Sequence, residues 1–397
     1  MVANRMVKVL DLHEWRVVIV DRDESHLYQT GFLYLPFGIH TNAEIVRPKR
    51  KYLPSQAQFI FSEAERIVPE QNRVHLANKT VISYDYLVIA TGSYIHPEET
   101  PGLMEGGWRK NIFDFYTLEG ATKLGNFLKT WKGGRLVLNI TEMPIKCPVA
   151  PVEFVFLADW FFRKRGMRDK VEIVFATPQS GMFTKSYIAN VFAGMAEERG
   201  ILVEPDFTIM EVDNAKQVIR SYDEREVAYD LLVTIPLHKG AEVIRYSGMG
   251  DLLSFVPADK FTLQSDKWEN VWIIGDAGNI PAPKSGSVAH FMMKPFTENI
   301  LSHMQGKELK ARFDGHNNCV LDSGYNKAIM IDFNYEVEPL PGKFPVPVIG
   351  PFSLVKESLL NAWGKRIFYW VYWNILLEGG RIPLMSSHLS MAGKKIV

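Results

Sequence analysis

The sequence predicts an α/β protein in which one chain forms two parallel sheets, the second inserted within the first, followed by a C-terminal amphipathic helical region. Three apolar runs predict the first sheet, because each ends in a small or acidic residue: RVVIVD at Asp21, YDYLVIATG at Gly92 and VWIIGD at Asp276. Such runs are typical of strands buried on both faces. Between the second and third runs, strand and helix patterns alternate, which predicts the inserted unit.

Composition narrows the class of protein. The 397 residues suffice for two or three domains, and 47% apolar with 23% charged residues excludes extensive disorder. Lys plus Arg and Asp plus Glu both number 45, so no net charge favours a nucleic acid as partner. Two cysteines without CxxC or Cys/His spacing exclude a disulfide scaffold, and we expect no metal site.

The first ten residues have the spacing of an amphipathic helix rather than the continuous apolar core of a secretory signal. The apolar residues on one helical face are Met1, Val2, Met6, Val9 and Leu10. A buried strand then follows over residues 16–21.

Asp21 occupies the place of the acid that binds ribose hydroxyls in a dinucleotide-binding Rossmann unit. In such a unit a glycine-rich loop lies about 20 residues before this acid, because pyrophosphate needs bare backbone N–H groups. Counting back places that loop before Met1. We therefore expect the natural protein to start earlier, by roughly 15 to 20 residues. That Asp21 merely ends a strand stays open.

Two further segments point to the same cofactor. Thr91 and Gly92 end one strand, and Gly275 and Asp276 end another, with small residues where a strand passes close to a flat group. These segments resemble the ATG and GD segments of flavoproteins with two dinucleotide-binding domains, in which the acid binds the ribityl chain. The order and separation of the three segments make FAD the expected cofactor.

The inserted unit has strands predicted at 135–140, 171–176 and 230–235 and a helix at 152–165. The loop after its first strand, at 141–153, contains no glycine, and its prolines remove N–H donors that a second dinucleotide would need. Nicotinamide binding there is therefore disfavoured. The predicted domains are a first FAD-binding part, the inserted Rossmann-like domain, a second FAD-binding part and a C-terminal region, at 1–110, 111–237, 238–305 and 306–397.

The C-terminal region contains the helical pattern LLNAWGKRIFYWVYWNILL. Lys365, Arg366 and Asn374 interrupt it, so it lacks the roughly 18 apolar residues of a spanning helix. Aromatic rings mixed with cations are typical of a helix that lies flat in a membrane interface. A core helix or a dimer-interface helix stays open.

Cys147 and Cys319 are the candidate catalytic residues. Prolines flank Cys147 in a predicted rigid turn, and Gly315 and Gly324 bracket Cys319 in a predicted loop. A cysteine pair beside a flavin can oxidise sulfur: a sulfur nucleophile opens the disulfide, and the released thiolate passes two electrons to the flavin. The alternative is two unrelated buried thiols.

These segments together resemble the sulfide:quinone oxidoreductases. The resemblance rests on IVDRDESHLYQ, IATG, IKCPVAP, IGDAGNIPAPKSGSVAHF and NCVLDSGYNKAIMIDFNYEVEP, with the aromatic C-terminus. It implies that Cys147 and Cys319 form the redox pair, bridged at rest, with sulfide and membrane quinone as partners and attachment to one face of a lipid bilayer. Residues 93–134 contain no cysteine, which resembles the two-cysteine branches.

Further site residues follow from the resemblance and from chemistry. The expected FAD-binding residues are Asp21, Thr91, Gly92, Gly275, Asp276 and Lys284. We expect the quinone pocket among Phe333, Tyr335 and the C-terminal helix, with Lys284 and Lys365 as cations near the flavin or quinone. Glu153 and His290 are candidates for moving protons, with a surface carboxylate and a structural histidine as the alternatives.

Three other functions stay open at this point. A type II NADH dehydrogenase shares the architecture but needs the glycines missing at 141–153. The flavin subunit of a flavocytochrome c sulfide dehydrogenase passes its electrons to a haem partner, and a flavin-free scaffold would descend from such enzymes. The sequence leaves open the sulfur acceptor, the quinone type, the membrane face and whether the protein forms a homo-oligomer.

Overall fold

The structure is a computed structural model that describes residues 1–346, 349–380, 382 and 385–396. Within those residues the strands are β1 (Val18–Asp21), β2 (Ser25–Leu27), β3 (Val46–Pro48), β4 (Gln58–Phe61), β5 (Ala64–Val68), β6 (Arg73–Leu76), β7 (Val81–Ser83), β8 (Leu87–Ile89), β9 (Ser93–Ile95), β10 (Ile112–Phe113), β11 (Gly134–Ile140), β12 (Val171–Ala176), β13 (Ile201–Glu204), β14 (Ile209–Asp213), β15 (Val218–Ser221), β16 (Glu226–Ala228), β17 (Leu231–Ile235), β18 (His238–Gly240), β19 (Val271–Ile273), β20 (Asn317–Gly324), β21 (Lys327–Phe333), β22 (Gly342–Phe344), β23 (Phe352–Leu354) and β24 (Glu357–Ser358). The α-helices are α1 (Val2–Met6), α2 (Asn42–Ile45), α3 (Leu118–Thr130), α4 (Ala150–Lys164), α5 (Ser186–Glu198), α6 (Glu242–Tyr246), α7 (Gly286–Phe291), α8 (Met293–Met304) and α9 (Leu359–Val371).

The three apolar runs form strands, as predicted, in two parallel pairs. β1 is only half-buried along its length, so its prediction as a buried strand is wrong. β1 pairs with β4, and β8, which precedes Gly92, pairs with β19, which precedes Asp276. Parallel pairing places the carboxyl ends of β8 and β19 at the same edge, so the ATG and GD segments lie side by side. In the described part of the chain the two pairs belong to separate sheets.

The predicted N-terminal helix is shorter than its apolar pattern indicated. α1 ends at Met6, and residues 7–10 form turns, so the expectation that Val9 and Leu10 extend the helix is wrong. Val9 is exposed and Leu10 is only partly buried, and a helix this short needs tertiary packing to be stable.

The inserted α/β unit has a parallel five-stranded sheet with the order β10-β17-β11-β12-β13. Its strands β11, β12 and β17 and its helix α4 confirm the predicted elements to within two residues. The strands are almost completely buried, because helices pack on the sheet, and α4 presents Phe154 and Phe156 to the core. The domain bounds given above remain predictions.

The C-terminal region adds a mixed sheet around the β20–β21 hairpin, with the order β20-β21-β23-β22 and β24 on β21. α4 packs against β20, and α9 packs against β21. The hairpin is therefore fixed between the inserted unit and the C-terminal helix. Six residues of the predicted region 306–397 lie outside the described residues.

Asp159 of α4 is completely buried and holds this arrangement together. Its carboxylate accepts hydrogen bonds from Arg163 at 3.0 Å, Arg168 at 2.8 Å and the hydroxyl of Tyr325 at 2.9 Å. Tyr325 lies in the turn between β20 and β21. The carboxylate thus joins the helix that follows Cys147 to the hairpin that carries Cys319.

We expect Asp159→Ala to lower the free energy of unfolding by about 3–5 kcal/mol, because it leaves the buried guanidinium of Arg168 without a counter-charge. Urea unfolding followed by circular dichroism measures the change. Asp169→Ala, at an exposed neighbouring carboxylate, is the matched control and should change stability by less than about 0.5 kcal/mol. Equal stabilities of the two variants would contradict a structural role for Asp159.

Candidate functional site

Cys147 lies in a turn immediately before α4. Its φ of 46° is in the left-handed region, and Pro144 and Pro148 restrict the backbone on either side. The Cys147 N–H donates to the carbonyl of Lys284 at 2.7 Å, and the Cys147 carbonyl accepts from the N–H of Ala150 at 2.8 Å. These bonds fix the cysteine at the start of the helix, in the rigid turn that the prolines predicted.

Cys319 lies in a strand, so its prediction as a loop residue is wrong. It is the third residue of β20, where it pairs with Ile331 of β21. Gly315 precedes the strand and Gly324 ends it. The antiparallel ladder satisfies the backbone groups around Cys319, so the glycines mark the ends of a strand rather than a flexible loop.

Side chains around Cys319 connect it to the segment after the GD motif. The Cys319 thiol donates to Oδ1 of Asn317 at 3.4 Å. The same oxygen accepts hydrogen bonds from the hydroxyls of Ser285 at 2.9 Å and Ser287 at 2.7 Å. One amide oxygen thus orients the thiol and two hydroxyls.

Residues 284–287 therefore bind both cysteine-bearing elements. The carbonyl of Lys284 accepts a hydrogen bond from the Cys147 turn. The hydroxyls of Ser285 and Ser287 donate to Asn317 of β20. The two cysteines, far apart along the chain, pack against the same apolar core. The structure thus places both predicted catalytic cysteines beside one segment, and Lys284 of this segment also donates to the carbonyl of Asp276 in the GD segment.

The environment keeps both thiols protonated. Burial raises the pKa of Cys147 above its usual range, and the neighbouring Cys319 raises it further. Burial likewise raises the pKa of Cys319, to about 11. Both cysteines are free thiols in the structure. The bridged resting state that the resemblance implies stays a prediction.

A buried ion pair accompanies the thiols. Glu153 is one turn into α4 and 3% exposed, so the alternative of a surface carboxylate is wrong. One oxygen of Glu153 accepts hydrogen bonds from the Tyr34 hydroxyl at 2.9 Å, the Asp322 N–H at 2.8 Å and the Lys365 ammonium. Burial raises the pKa of Glu153, and Lys365 opposes this rise. The Lys365 charge also lowers the pKa of each cysteine.

Asp21 ends β1, as predicted, but has a protein partner. One carboxylate oxygen lies 2.6 Å from the Lys49 ammonium, and the other accepts the N–H of Asp23 at 3.0 Å. A carboxylate offers about four acceptor sites, so both oxygens retain capacity for ribose hydroxyls.

The residues at the ends of β8 and β19 fit a bound dinucleotide cofactor. The hydroxyls of Thr91 and Ser93 are buried without a hydrogen-bond partner among the described residues. Gly92 and Gly275 have φ of 73° and 69°, and a Cβ built on Gly92 would meet no atom within 4 Å. Orphaned polar atoms beside an open glycine turn are typical of a site that closely contacts a ligand.

Lys284 stabilises the turn of the GD segment. Its ammonium donates to the carbonyls of Asp276 at 3.0 Å and Gly278 at 2.8 Å, and it lies 3.6 Å from the centre of the Phe255 ring. Burial lowers the pKa of Lys284 to about 8, and raises the pKa of the Asp276 carboxyl. His290, on α7, has a pKa lowered to about 4 by burial, so it is neutral near pH 7.

The residues expected around the quinone do not lie together. Phe333 and Tyr335 line a cavity of about 550 Å³, which the Cys147 loop and the segment after Asp276 also line. None of the described residues that line it belongs to α9, and Lys365 lies instead on Glu153. The quinone pocket expected among Phe333, Tyr335 and the C-terminal helix stays a prediction.

α9 confirms the helical pattern and carries an exposed apolar face. More than half of each side chain on this face is exposed, namely Leu359, Leu360, Trp363, Ile367 and Trp370. On its other side, Lys365 reaches the buried Glu153. In the described part of the chain, no helix is both long and apolar enough to cross a membrane.

Sequence reasoning missed several residues of the site. Asn317, Ser285 and Ser287 gave no signal, because their shared hydrogen bonds join segments that only the fold brings together. Tyr34 was missed for the same reason. Lys146 precedes Cys147 in the motif IKCPVAP, and this position beside the cysteine is the signal that could have identified it.

Comparisons with known proteins agree with the motifs. No protein-family model matches the chain. The chain is 28% identical to the mitochondrial sulfide:quinone oxidoreductase of Dictyostelium discoideum over 369 residues, which cover 91% of this chain and 80% of the relative. It is also 28% identical to the mitochondrial sulfide:quinone oxidoreductase of Mus musculus over 370 residues, covering 91% and 81%.

The fold agrees as well. The crystal structure of the sulfide:quinone oxidoreductase from Aquifex aeolicus superposes with a TM-score of 0.78 at 20% identity, over 96% of this chain and 89% of that one. The predicted α/β class with two Rossmann-like units is thereby confirmed. By its motifs, its sequence and its fold, the chain is a relative of the sulfide:quinone oxidoreductases.

Proposed function

We propose that this protein is an oxidoreductase that oxidises sulfide through Cys147 and Cys319, with FAD as cofactor and membrane quinone as electron acceptor. The observation that carries the proposal is the convergence of two distant cysteines on residues 284–287, next to the GD segment. Two unrelated packing thiols would have no reason to share this segment. The names of the curated relatives supply the substrate and the acceptor.

FAD would be held by Asp21, Thr91, Gly92, Gly275 and Asp276, with Lys284 supporting the turn. When bound, FAD supplies a two-electron acceptor between the cysteine pair and the quinone. The chain's own contribution is to position the cysteines beside that acceptor and to exclude water. The mostly buried cluster around Glu153 and both thiols provides the low-dielectric surroundings.

At the oxidised cysteine pair, hydrosulfide would attack one sulfur. A bond forms between the incoming sulfur and that cysteine, the cysteine–cysteine bond breaks, and the other cysteine leaves as a thiolate. The Lys365 ammonium stabilises the thiolate charge, and Glu153 is positioned to exchange a proton with the cluster. Burial disfavours the thiolate and raises the pKa of both cysteines, so the leaving thiolate needs the stabilising charge of Lys365.

Quinone and sulfide would approach from different sides. We propose that quinone enters from lipid along α9 toward Lys365 and Glu153, and that hydrosulfide enters through the cavity lined by Phe333, Tyr335 and the Cys147 loop. The exposed apolar face of α9 suits a bilayer surface, because its charged Lys365 points inward. The protein would then be a peripheral membrane protein.

Sulfide added anaerobically to the FAD-loaded protein should bleach the flavin absorbance, and a quinone analogue should restore it. We expect Cys147→Ser and Cys319→Ser each to slow bleaching by at least about 10³-fold, because neither retains a disulfide for sulfide to open. Stopped-flow absorbance measures the rate, and NADH in place of sulfide tests the dehydrogenase alternative. A serine variant that bleaches at the parental rate would exclude the proposed chemistry.

Lys365→Met should decrease the thiolate fraction of the reduced protein. Loss of the ammonium raises the pKa of both cysteines, so below those pKa values alkylation by iodoacetamide should slow about tenfold per unit of pKa gained. The alkylation rate measured as a function of pH reports the pKa of the cysteines. We expect the profile of Lys365→Met to lie at higher pH than that of the parent. Lys356→Met, at an exposed lysine nearby in sequence, is the control, and equal profiles for both would show that Lys365 does not act on the thiols.

The double variant Trp363→Glu with Ile367→Glu should bind lipid vesicles at least about tenfold more weakly, because it places charge on the apolar face. Vesicle flotation measures binding, and Leu252→Glu, at a fully exposed leucine elsewhere, is the matched control. If the parent does not float but sediments as a dimer that the double variant dissociates, the face is a dimer interface instead.

A further inference from the structure

Lys146 points away from the thiol cluster although it precedes Cys147. Its ammonium donates to the carbonyl of Ser93 at 3.2 Å and to Oε1 of Gln29 at 3.2 Å. Ser93 follows Gly92, so the ammonium lies at the segment that fits the cofactor. Consecutive residues of one turn therefore lie in different surroundings. The Cys147 thiol packs against the apolar core, whereas the Lys146 ammonium lies at the ATG segment.

The surroundings of Lys146 leave its charge poorly balanced. Its two hydrogen-bond acceptors are neutral, and burial lowers its pKa, opposed by Asp276 and Asp114. Asp114 is already paired with Arg109 at 2.5 Å. Asp276 is also acted on by Lys284, so two ammonium groups share one carboxylate.

The neighbouring imidazole of His238 adds no second positive charge beside Lys146. His238 is fully buried, and its pKa is lowered to about 3, first by burial and then by Lys146. It is therefore neutral at physiological pH. Lys146 is partly buried, and a cation with only neutral hydrogen-bond acceptors is stabilised when an anion completes its surroundings.

Lys284 is less suited than Lys146 to meet an incoming anion. Its bonds to two carbonyls are shorter, at 3.0 and 2.8 Å, and the Phe255 ring covers it. Both acceptors of Lys146 are 3.2 Å away, and the open turn of Gly92 is adjacent in sequence to one of them. Of the two ammonium groups, that of Lys146 is therefore the one held less closely by protein acceptors.

We propose that Lys146 is the positioning cation that balances the negative charge of reduced FAD, so that one turn supplies both the redox thiol and the counter-charge of its electron acceptor. This inference rests on the proposed function. Reduction adds electrons to the flavin ring, and a preorganised positive charge favours that state over the oxidised one. The hydrogen bond from Cys147 to Lys284 keeps thiol and ammonium in a fixed relation.

The midpoint potential of bound FAD tests the proposal without sulfide. For Lys146→Met, we expect the equilibrium constant for reduction to fall at least tenfold, which for a two-electron couple is a potential about 30 mV more negative. Photoreduction against an indicator dye measures it. Lys146→Arg should stay near the parent because it keeps the charge, and Lys132→Met, at an exposed lysine, is the matched control.

A reduction constant of Lys146→Met within about twofold of the parent's overturns the proposal. Weaker FAD binding by Lys146→Met at an unchanged midpoint potential also overturns the proposal, because the ammonium would then bind the phosphates of FAD. Lys146→Gln replaces the methionine variant if that variant does not fold. A parent that binds FAD but is not bleached by sulfide overturns only the proposed function, whereas a parent that binds no FAD overturns both.

Discussion

The hydrogen bonds of residues 284–287 are the constraint on which the site depends. Through the Lys284 carbonyl this short segment holds the turn of Cys147, and through Ser285 and Ser287 it holds the strand of Cys319. Cys147 lies in a turn before α4 and Cys319 lies in β20, so their relative position is set by such cross-links rather than by one sheet. Attack at sulfur requires close alignment of the reacting atoms, so in the proposed function this segment would set the geometry of the two thiols.

Helix α4 carries two buried carboxylates that are paired with cations. Asp159 and Glu153 are both buried on α4, and each is neutralised by cations from other elements, Arg168 for the first and Lys365 for the second. The same low dielectric that makes an unpaired charge costly also strengthens each remaining interaction. Folding of the C-terminal region against α4 therefore completes the electrostatics of the cysteine site.

α9 links the surface of the protein to its interior. Its apolar face is exposed, whereas Lys365 on the opposite side reaches Glu153 and lowers the pKa of both thiols. The helix therefore joins an exposed apolar surface to the ammonium group that lowers the pKa of both thiols. In the proposed function, these sides correspond to the lipid phase that holds quinone and to the cysteine pair.

The sequence by itself determined the strands, the helix after Cys147 and the amphipathic C-terminal helix, and it named the two cysteines as the candidate catalytic residues. Hydrophobic periodicity and proline placement predict these elements because both act on the local backbone. The strand around Cys319 was not predictable, since two nearby glycines indicate a turn equally well. Only the tertiary structure decided that Lys365 pairs with Glu153 instead of lining the cavity at Phe333. The tertiary structure likewise decided that Lys146 donates to the ATG segment. Such assignments depend on which distant segments meet, and the free energy of burying a charge is defined only once its partner is in place.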